Sequence, residues 1–206
     1  MSLFITLEGG EGCGKSLQAR ALYRQLTKQT IPAILTREPG GTPLGEKISH
    51  WLKWGPWEAI SPLSELLLFN ASRSQLAASV IRPALAAGQV VVCDRFTDST
   101  VAYQGYGRGL DLATVKMIND TTTGGLAPDL TLLLDIPPAA GLARKSHRTP
   151  DRFEDETLAF HQRVRAGYLQ MAAAEPERWQ IIGAALPKKE ISRIIWQKVA
   201  PLLKVG

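Results

Sequence analysis

The sequence predicts an α/β protein built on a parallel sheet, and three observations carry that expectation. Five short apolar runs recur along the 206 residues, longer stretches with helical spacing separate them, and the first run leads into a glycine-rich motif that opens a helix. Short strands with almost no polar interruption are what a sheet covered on both faces requires. Their alternation with helices argues for parallel strands joined by right-handed crossovers.

Taken in order, the strand-like runs are Leu3 to Leu7, Ala33 to Thr36, Val90 to Cys93, Leu130 to Leu134 and Gln180 to Ile182. Helices are expected over Ser16 to Thr30, Pro62 to Ala87, Leu110 to Thr122, Phe153 to Ala174 and Lys189 to Leu203. The length fits one domain, and no repeat, low-complexity tract or linker-like change of composition divides it. The segment Ala143 to Arg152 (ARKSHRTPDR) stands apart: it is polar, contains Pro150 and lies between two helical patterns. It reads either as an ordinary surface loop or, given its four basic side chains, as a lid that closes on phosphate.

Composition narrows the function classes. A hydrophobic share of 45% against 21% charged residues argues against disorder. No apolar run approaches the roughly 20 residues a membrane helix needs, so no membrane association is expected. The start Met1-Ser2-Leu3-Phe4-Ile5 has no basic leader, and Cys13 and Cys93 offer neither a disulfide framework nor metal-ligand spacing, so a cytoplasmic protein is expected. The net charge of +5 favours anionic partners. Its basic residues are scattered beside glycines, carboxylates and turns, which suits small phosphate ligands better than nucleic acid.

Gly9-Gly10-Glu11-Gly12-Cys13-Gly14-Lys15-Ser16 matches G-x-x-x-x-G-K-[ST] between a strand and a helix, the context in which that motif binds nucleotide phosphates. The glycines let backbone N–H groups close on phosphate oxygens, and the helix N-terminus adds a partial positive charge. Lys15 would bridge the β- and γ-phosphates, and the Ser16 hydroxyl would ligate Mg²⁺. Cys13 reads either as a small residue tolerated in the loop or as a reactive thiol at a helix N-terminus. A second polar site follows the third apolar run, where Asp94 and Arg95 end a strand on the side where parallel sheets bind ligands. Asp94 could hold Mg²⁺ through water, and Arg95 offers a planar fork for a phosphate. A structural salt bridge is the alternative for that pair.

Four further segments, Arg37 to Thr42 (REPGGT), Leu68 to Arg73 (LFNASR), Asp94 to Gly109 (DRFTDSTVAYQGYGRG) and Asp151 to Glu154 (DRFE), together with the phosphate loop, resemble the thymidylate kinase family across most of the chain. The resemblance implies a doubly wound, nucleoside-monophosphate-kinase-like fold around a five-stranded parallel sheet. It also implies Mg²⁺-dependent transfer of the ATP γ-phosphoryl group to dTMP, giving ADP and dTDP, for dTTP synthesis. Carried over by position, Phe69 would stack on thymine, Arg73, four residues on, would donate to a base carbonyl, and Ser99 and Gln104 would complete the base edge. Tyr103 would exclude a ribose 2′-hydroxyl, Glu11 would accept from the sugar 3′-hydroxyl, and Arg95 would clamp the acceptor phosphate. Arg37 would either reach that phosphate or brace the Gly40-Gly41 turn.

Within the resembling family one type carries its catalytic arginine in the phosphate loop; here Gly12 stands at that position. The arginines must then come from the lid, as in the bacterial type, with Arg152 first, Arg148 second, Arg144 near ATP and Lys145 only a solvated charge. Leu17 follows Ser16 in the ATP site where many relatives have a second hydroxyl residue. The resemblance also implies a homodimer, for which the Pro62 to Ala87 helix could supply a face. Trp51, Trp54 and Trp57 have no role in the resemblance; they read as packing in a connection between helices or as stacking sites for single-stranded nucleic acid. His50, His147 and His161 have no metal or catalytic spacing.

Overall fold

The computed structural model describes residues 2–55, 60–145 and 149–203. Five parallel strands form one sheet in the order β2-β3-β1-β4-β5. They are β1 (Leu3–Glu8), β2 (Ala33–Arg37), β3 (Val90–Asp94), β4 (Leu130–Asp135) and β5 (Trp179–Gly183). Around them run α1 (Lys15–Lys28), α2 (Pro43–Trp54), α3 (Pro62–Leu76), α4 (Arg82–Ala86), α5 (Thr97–Thr100), α6 (Leu112–Thr123), α7 (Pro138–Ala143), α8 (Leu158–Ala174) and α9 (Lys188–Val199).

The two-residue period of a strand sorts the core. Leu3, Ile5 and Leu7 pack with Val90, Val92, Leu132 and Leu134 against α1 and α9. On the opposite face, Phe4, Val91 and Cys93 meet Leu76, Ile81 and Phe96, while Leu133 joins Leu52, Leu66, Phe160 and Tyr168. Both faces are therefore covered, which is why even the polar Thr6 of β1 and Thr131 of β4 are buried. Burial of this apolar area, at roughly 25 cal/mol per Å², is the main stabilising term. The long central helix forms where expected, although it passes through a π-helical turn at Ala77–Ile81 just before Pro83. Proline lacks the N–H for a regular helical bond, so the ladder must adjust there.

Three expectations need correction. Trp51 and Trp54, read as packing in a connection between helices, belong to α2, whose N-cap Thr42 accepts from Gly45 N at 2.9 Å, with Pro43 in the first turn. Trp51 and Trp54 lie exposed on that helix, and Trp57 lies outside the described residues. The helix expected from Phe153 begins only at Leu158, because Asp151 Oδ1 accepts from the N–H groups of Phe153 and Glu154, both at 3.0 Å. That local turn competes with helix, and Thr157 supplies the true N-cap. Finally, residues 97–107, given no element by apolar pattern, are α5 followed by a π-helical stretch, Val101–Gly107.

The topology brings the polar strand ends together. β1 lies between β3 and β4, so the chain moves from β1 to one edge and later crosses to the other side. Ligands of open α/β sheets bind at such a reversal, beyond the carboxyl ends of the strands. Register pairs Leu7 with Asp94, which sets the loop after β1 beside the Asp94-Arg95 turn.

Candidate active site

A cavity of about 400 Å³ opens at those strand ends. One end is the phosphate loop; Phe69 from α3 and Gln104 from the π-helical stretch stand in its wall, with Phe153 packed on Phe69 at 5.6 Å between ring centroids.

The loop owes its shape to backbone. Gly9, Gly12 and Gly14 have φ of 139°, 68° and 95°. Position 12 admits only glycine for a second reason: a Cβ there would lie 1.9 Å from the carbonyl oxygen of Gly141 on α7. Lys15, 7% exposed, curls over the loop and donates to the carbonyls of Gly9 (3.0 Å) and Gly10 (2.7 Å). Lys15 Nζ also lies 3.4 Å from Cys13 Sγ, and Cys13 packs in the core beneath the loop, the small-residue reading of that position. Ser16 Oγ donates to Asp94 Oδ2. A hydroxyl and a carboxylate meeting at a helix N-terminus form an all-oxygen set, the chemistry Mg²⁺ prefers. Leu17 is 40% exposed, and it and Arg144 line the cavity; Arg144 also donates to the carbonyl of Ala184 at 3.0 Å.

Between the two ends lies a dense charge cluster. Arg95, itself at φ 74°, sends Nη2 to Glu11 Oε1 at 2.8 Å and Nη1 to Gly9 O (3.1 Å) and Ser99 Oγ (3.2 Å). Its guanidinium carbon lies 5.0 Å from the centre of the Tyr103 ring, and Tyr103 OH donates to Glu11 at 2.8 Å. Lys145 Nζ reaches Glu11 Oε2 at 2.5 Å and pairs with Glu154. Against the cost of burial, Arg95, Lys15 and Lys145 hold the Glu11 carboxyl well below the usual carboxylate range. Lys145 is thus no solvated charge: its side chain is 23% exposed and ties the lid segment to the phosphate loop.

Glu8, fully buried at the end of β1, underlies this cluster and escaped the sequence reading. It accepts from Phe96 N (2.7 Å), Ser99 Oγ (2.6 Å) and Tyr168 OH (2.8 Å). Burial, then the neighbouring Asp98, pushes its pKa up to about 7 against the opposing pull of Arg95. The available signal was a lone carboxylate ending an otherwise apolar strand directly before the loop. Ser99, expected at the base edge, lines the cavity and hydrogen-bonds with Glu8, Arg95 and Tyr168.

Among the described residues, two arginines expected in the site are not in the cavity wall. Arg73 shares its helix with Phe69 but is 1% exposed; Nε pairs with Glu38 at 2.8 Å, and Nη1 donates to Asn119 Oδ1 (2.6 Å) and Thr100 Oγ1 (2.9 Å). A buried guanidinium needs such partners, and Glu38 and Thr100, which do line the cavity, stand in front of it. Arg152 pairs with Glu65, its guanidinium 5.0 Å from the ring centre of Phe153, and so is directed to α3 rather than to the phosphate loop. Arg148 lies outside the described residues. Arg37 lines the cavity and also makes the brace: Nη2 contacts both oxygens of Glu46 at 2.8 and 2.7 Å, and Glu46 accepts from Gly41 N at 2.9 Å.

Comparison with known proteins accords with this geometry. A family model described as thymidylate kinase matches residues 7–195. The chain is 58% identical to a thymidylate kinase of Dehalococcoides mccartyi over 100% of its own length and 99% of the relative's. It is 53% identical to one from Synechococcus sp., covering 99% and 97% of the two chains. A crystal structure of thymidylate kinase from Ehrlichia chaffeensis superposes with a TM-score of 0.79 at 32% identity, over 96% of this chain and 98% of that one.

Proposed function

This chain belongs to the thymidylate kinase family of nucleoside monophosphate kinases, and from that premise we propose that it transfers the γ-phosphoryl group of ATP to dTMP, giving dTDP and ADP for dTTP synthesis. One observation carries the reading. A single cavity joins a backbone-built phosphate cradle to an aromatic wall containing Phe69, with the Arg95 fork between them.

In this reading ATP lies on Gly9 to Leu17 with Arg144 beside it, and Lys15 moves from the Gly9 and Gly10 carbonyls onto the phosphates. Ser16 and Asp94 would hold Mg²⁺, which when bound neutralises phosphate charge. Phe69 stacks on thymine and Gln104 meets its edge, while Tyr103 packs against the deoxyribose. Glu11 accepts from the 3′-hydroxyl. Arg95, held by Ser99, restrains the acceptor phosphate, and Arg37 steadies the neighbouring turn through Glu46. Arg73 supports this end from behind, through Glu38 and Thr100. No general base is assigned, because a phosphate with a second pKa near 6 is already largely ionised at neutral pH. Catalysis then rests on alignment and charge neutralisation.

The whole chain would act as one kinase domain with a lid at about 143–153, whose Lys145 already touches the phosphate loop. Arg152, with Arg148, would serve the transferring group after leaving Glu65. A homodimer is supported by α3, which exposes Leu63 (48%) and Leu67 (50%) beside α6 with Met117 (61%). Two free cysteines suit the reducing cytoplasm.

One preparation of the full chain tests these points: ADP release with ATP, Mg²⁺ and dTMP, dUMP, dCMP, dGMP or AMP, alongside its mass by sedimentation equilibrium. The expected result is a dimer fastest on dTMP. A purine preference would remove the roles given to Phe69 and Gln104, and a monomer the homodimer.

A further inference from the structure

The orientation of one wall residue is decided from behind the wall. Gln104 is 1% exposed, lines the cavity, and donates from Nε2 to Glu65 Oε1 at 2.7 Å. Glu65, also 1% exposed, lies one helical turn before Phe69 on α3. The other hydrogen bonds to its carboxyl group among the described residues come from guanidiniums: Arg108 Nε at 3.1 Å and Nη2 at 3.2 Å, and Arg152 Nη2. All of these are donors, so the carboxyl group serves wholly as an acceptor. A carboxylate has no proton to give, and an amide touching it must turn its NH₂ group that way. The assignment of nitrogen and oxygen in Gln104 therefore follows from chemistry. With the NH₂ group held on Glu65, the carbonyl oxygen is the atom Gln104 has left for a ligand.

Resting on the thymidylate reading of the cavity, we propose that Glu65 is a positioning residue that sets pyrimidine specificity. By pinning the amide, it leaves Gln104 an acceptor for the imide N3–H of thymine. Cytosine presents a lone pair at N3, so two acceptors would face each other, and a buried site built for the opposite polarity rejects such a base. A neutral amide at position 65 removes the constraint, because it can accept or donate. Gln104 is then free to turn its NH₂ group to the ligand and meet cytosine N3.

The test compares kcat/KM for dTMP and dCMP at saturating ATP in the wild type, Glu65→Gln, and the swapped double variant Glu65→Gln with Gln104→Glu. In Glu65→Gln the dTMP-to-dCMP ratio falls by about tenfold or more, mainly through KM for the monophosphate, with KM for ATP unchanged. The double variant restores the wild-type ratio, since a carboxylate at 104 is an acceptor whichever way it turns and the amide at 65 can donate to it. Equal losses on both substrates in Glu65→Gln would reduce Glu65 to a structural anchor and overturn the proposal. So would a double variant that keeps a lowered ratio. Where Glu65→Gln alone fails to fold because Arg108 and Arg152 lose their carboxylate, the double variant decides, since it keeps one carboxylate within the cluster. A wild type inactive on dTMP would instead refute the functional reading, and the first measurement reveals it.

Discussion

The two ends of the cavity are built on different principles. The phosphate-loop end is local: eight consecutive residues between β1 and α1, shaped by glycine backbone and closed by the first turn of a helix. The opposite end draws its walls and supports from α3, α6, the π-helical stretch after α5 and the lid segment, and it is held by hydrogen bonds and ion pairs between residues remote in sequence. A backbone cradle fails when its geometry is disturbed. A side-chain network can lose one member and still bind, at reduced affinity or selectivity.

The largest effect should come from breaking the cradle. Gly12→Arg puts a Cβ into the space of the Gly141 carbonyl at a φ of 68°, so the loop and α7 must separate. We expect kcat to fall by about 10²-fold or more, the loss typical when preorganised donors are displaced. Near-normal ADP release by that variant would mean that an arginine at position 12 is accommodated after all. The opposite end should respond more mildly. Arg95→Lys keeps the charge but loses the planar fork that reaches Glu11, Gly9 and Ser99. The expectation is a KM for dTMP raised by roughly tenfold with KM for ATP little changed; an equal rise in both would show that the ends are not separable.

The smallest effect concerns stability beneath the cluster. Burial raises the Glu8 pKa from its ordinary 4.5 to about 7 in the fold, so the folded chain binds the extra proton between those values. That contribution is fully present below pH 4.5 and is lost as pH rises through 7, worth at most on the order of 3 kcal/mol. The melting temperature should therefore decline from pH 5 to 8 more steeply in the wild type than in Glu8→Gln. Parallel curves for the two proteins would assign the titration elsewhere.

Much of this protein was legible without coordinates. All five strands lie where the apolar runs are, yet each runs one residue further at its carboxyl end, to Glu8, Arg37, Asp94, Asp135 and Gly183. Apolar pattern stops where the chain turns polar. Three of those residues, Glu8, Arg37 and Asp94, stand in or beneath the cavity, because strand ends are where a covered sheet meets solvent and ligand. The α2 helix carried its own signal, Thr42-Pro43, but α5 and the π-helical stretch after it carried no period to read.

The sequence by itself determined the sheet, the phosphate loop and the absence of an arginine from that loop, since each follows from residues near one another in the chain. Only the tertiary structure decided which charges meet. Arg73 pairs with Glu38 across 35 residues, Arg152 with Glu65 across 87, and Lys145 with Glu11 across 134. Spacing dictates which side chains share a turn of helix or a face of a strand. Over longer separations every cation could choose among many carboxylates, and packing of the elements made the choice.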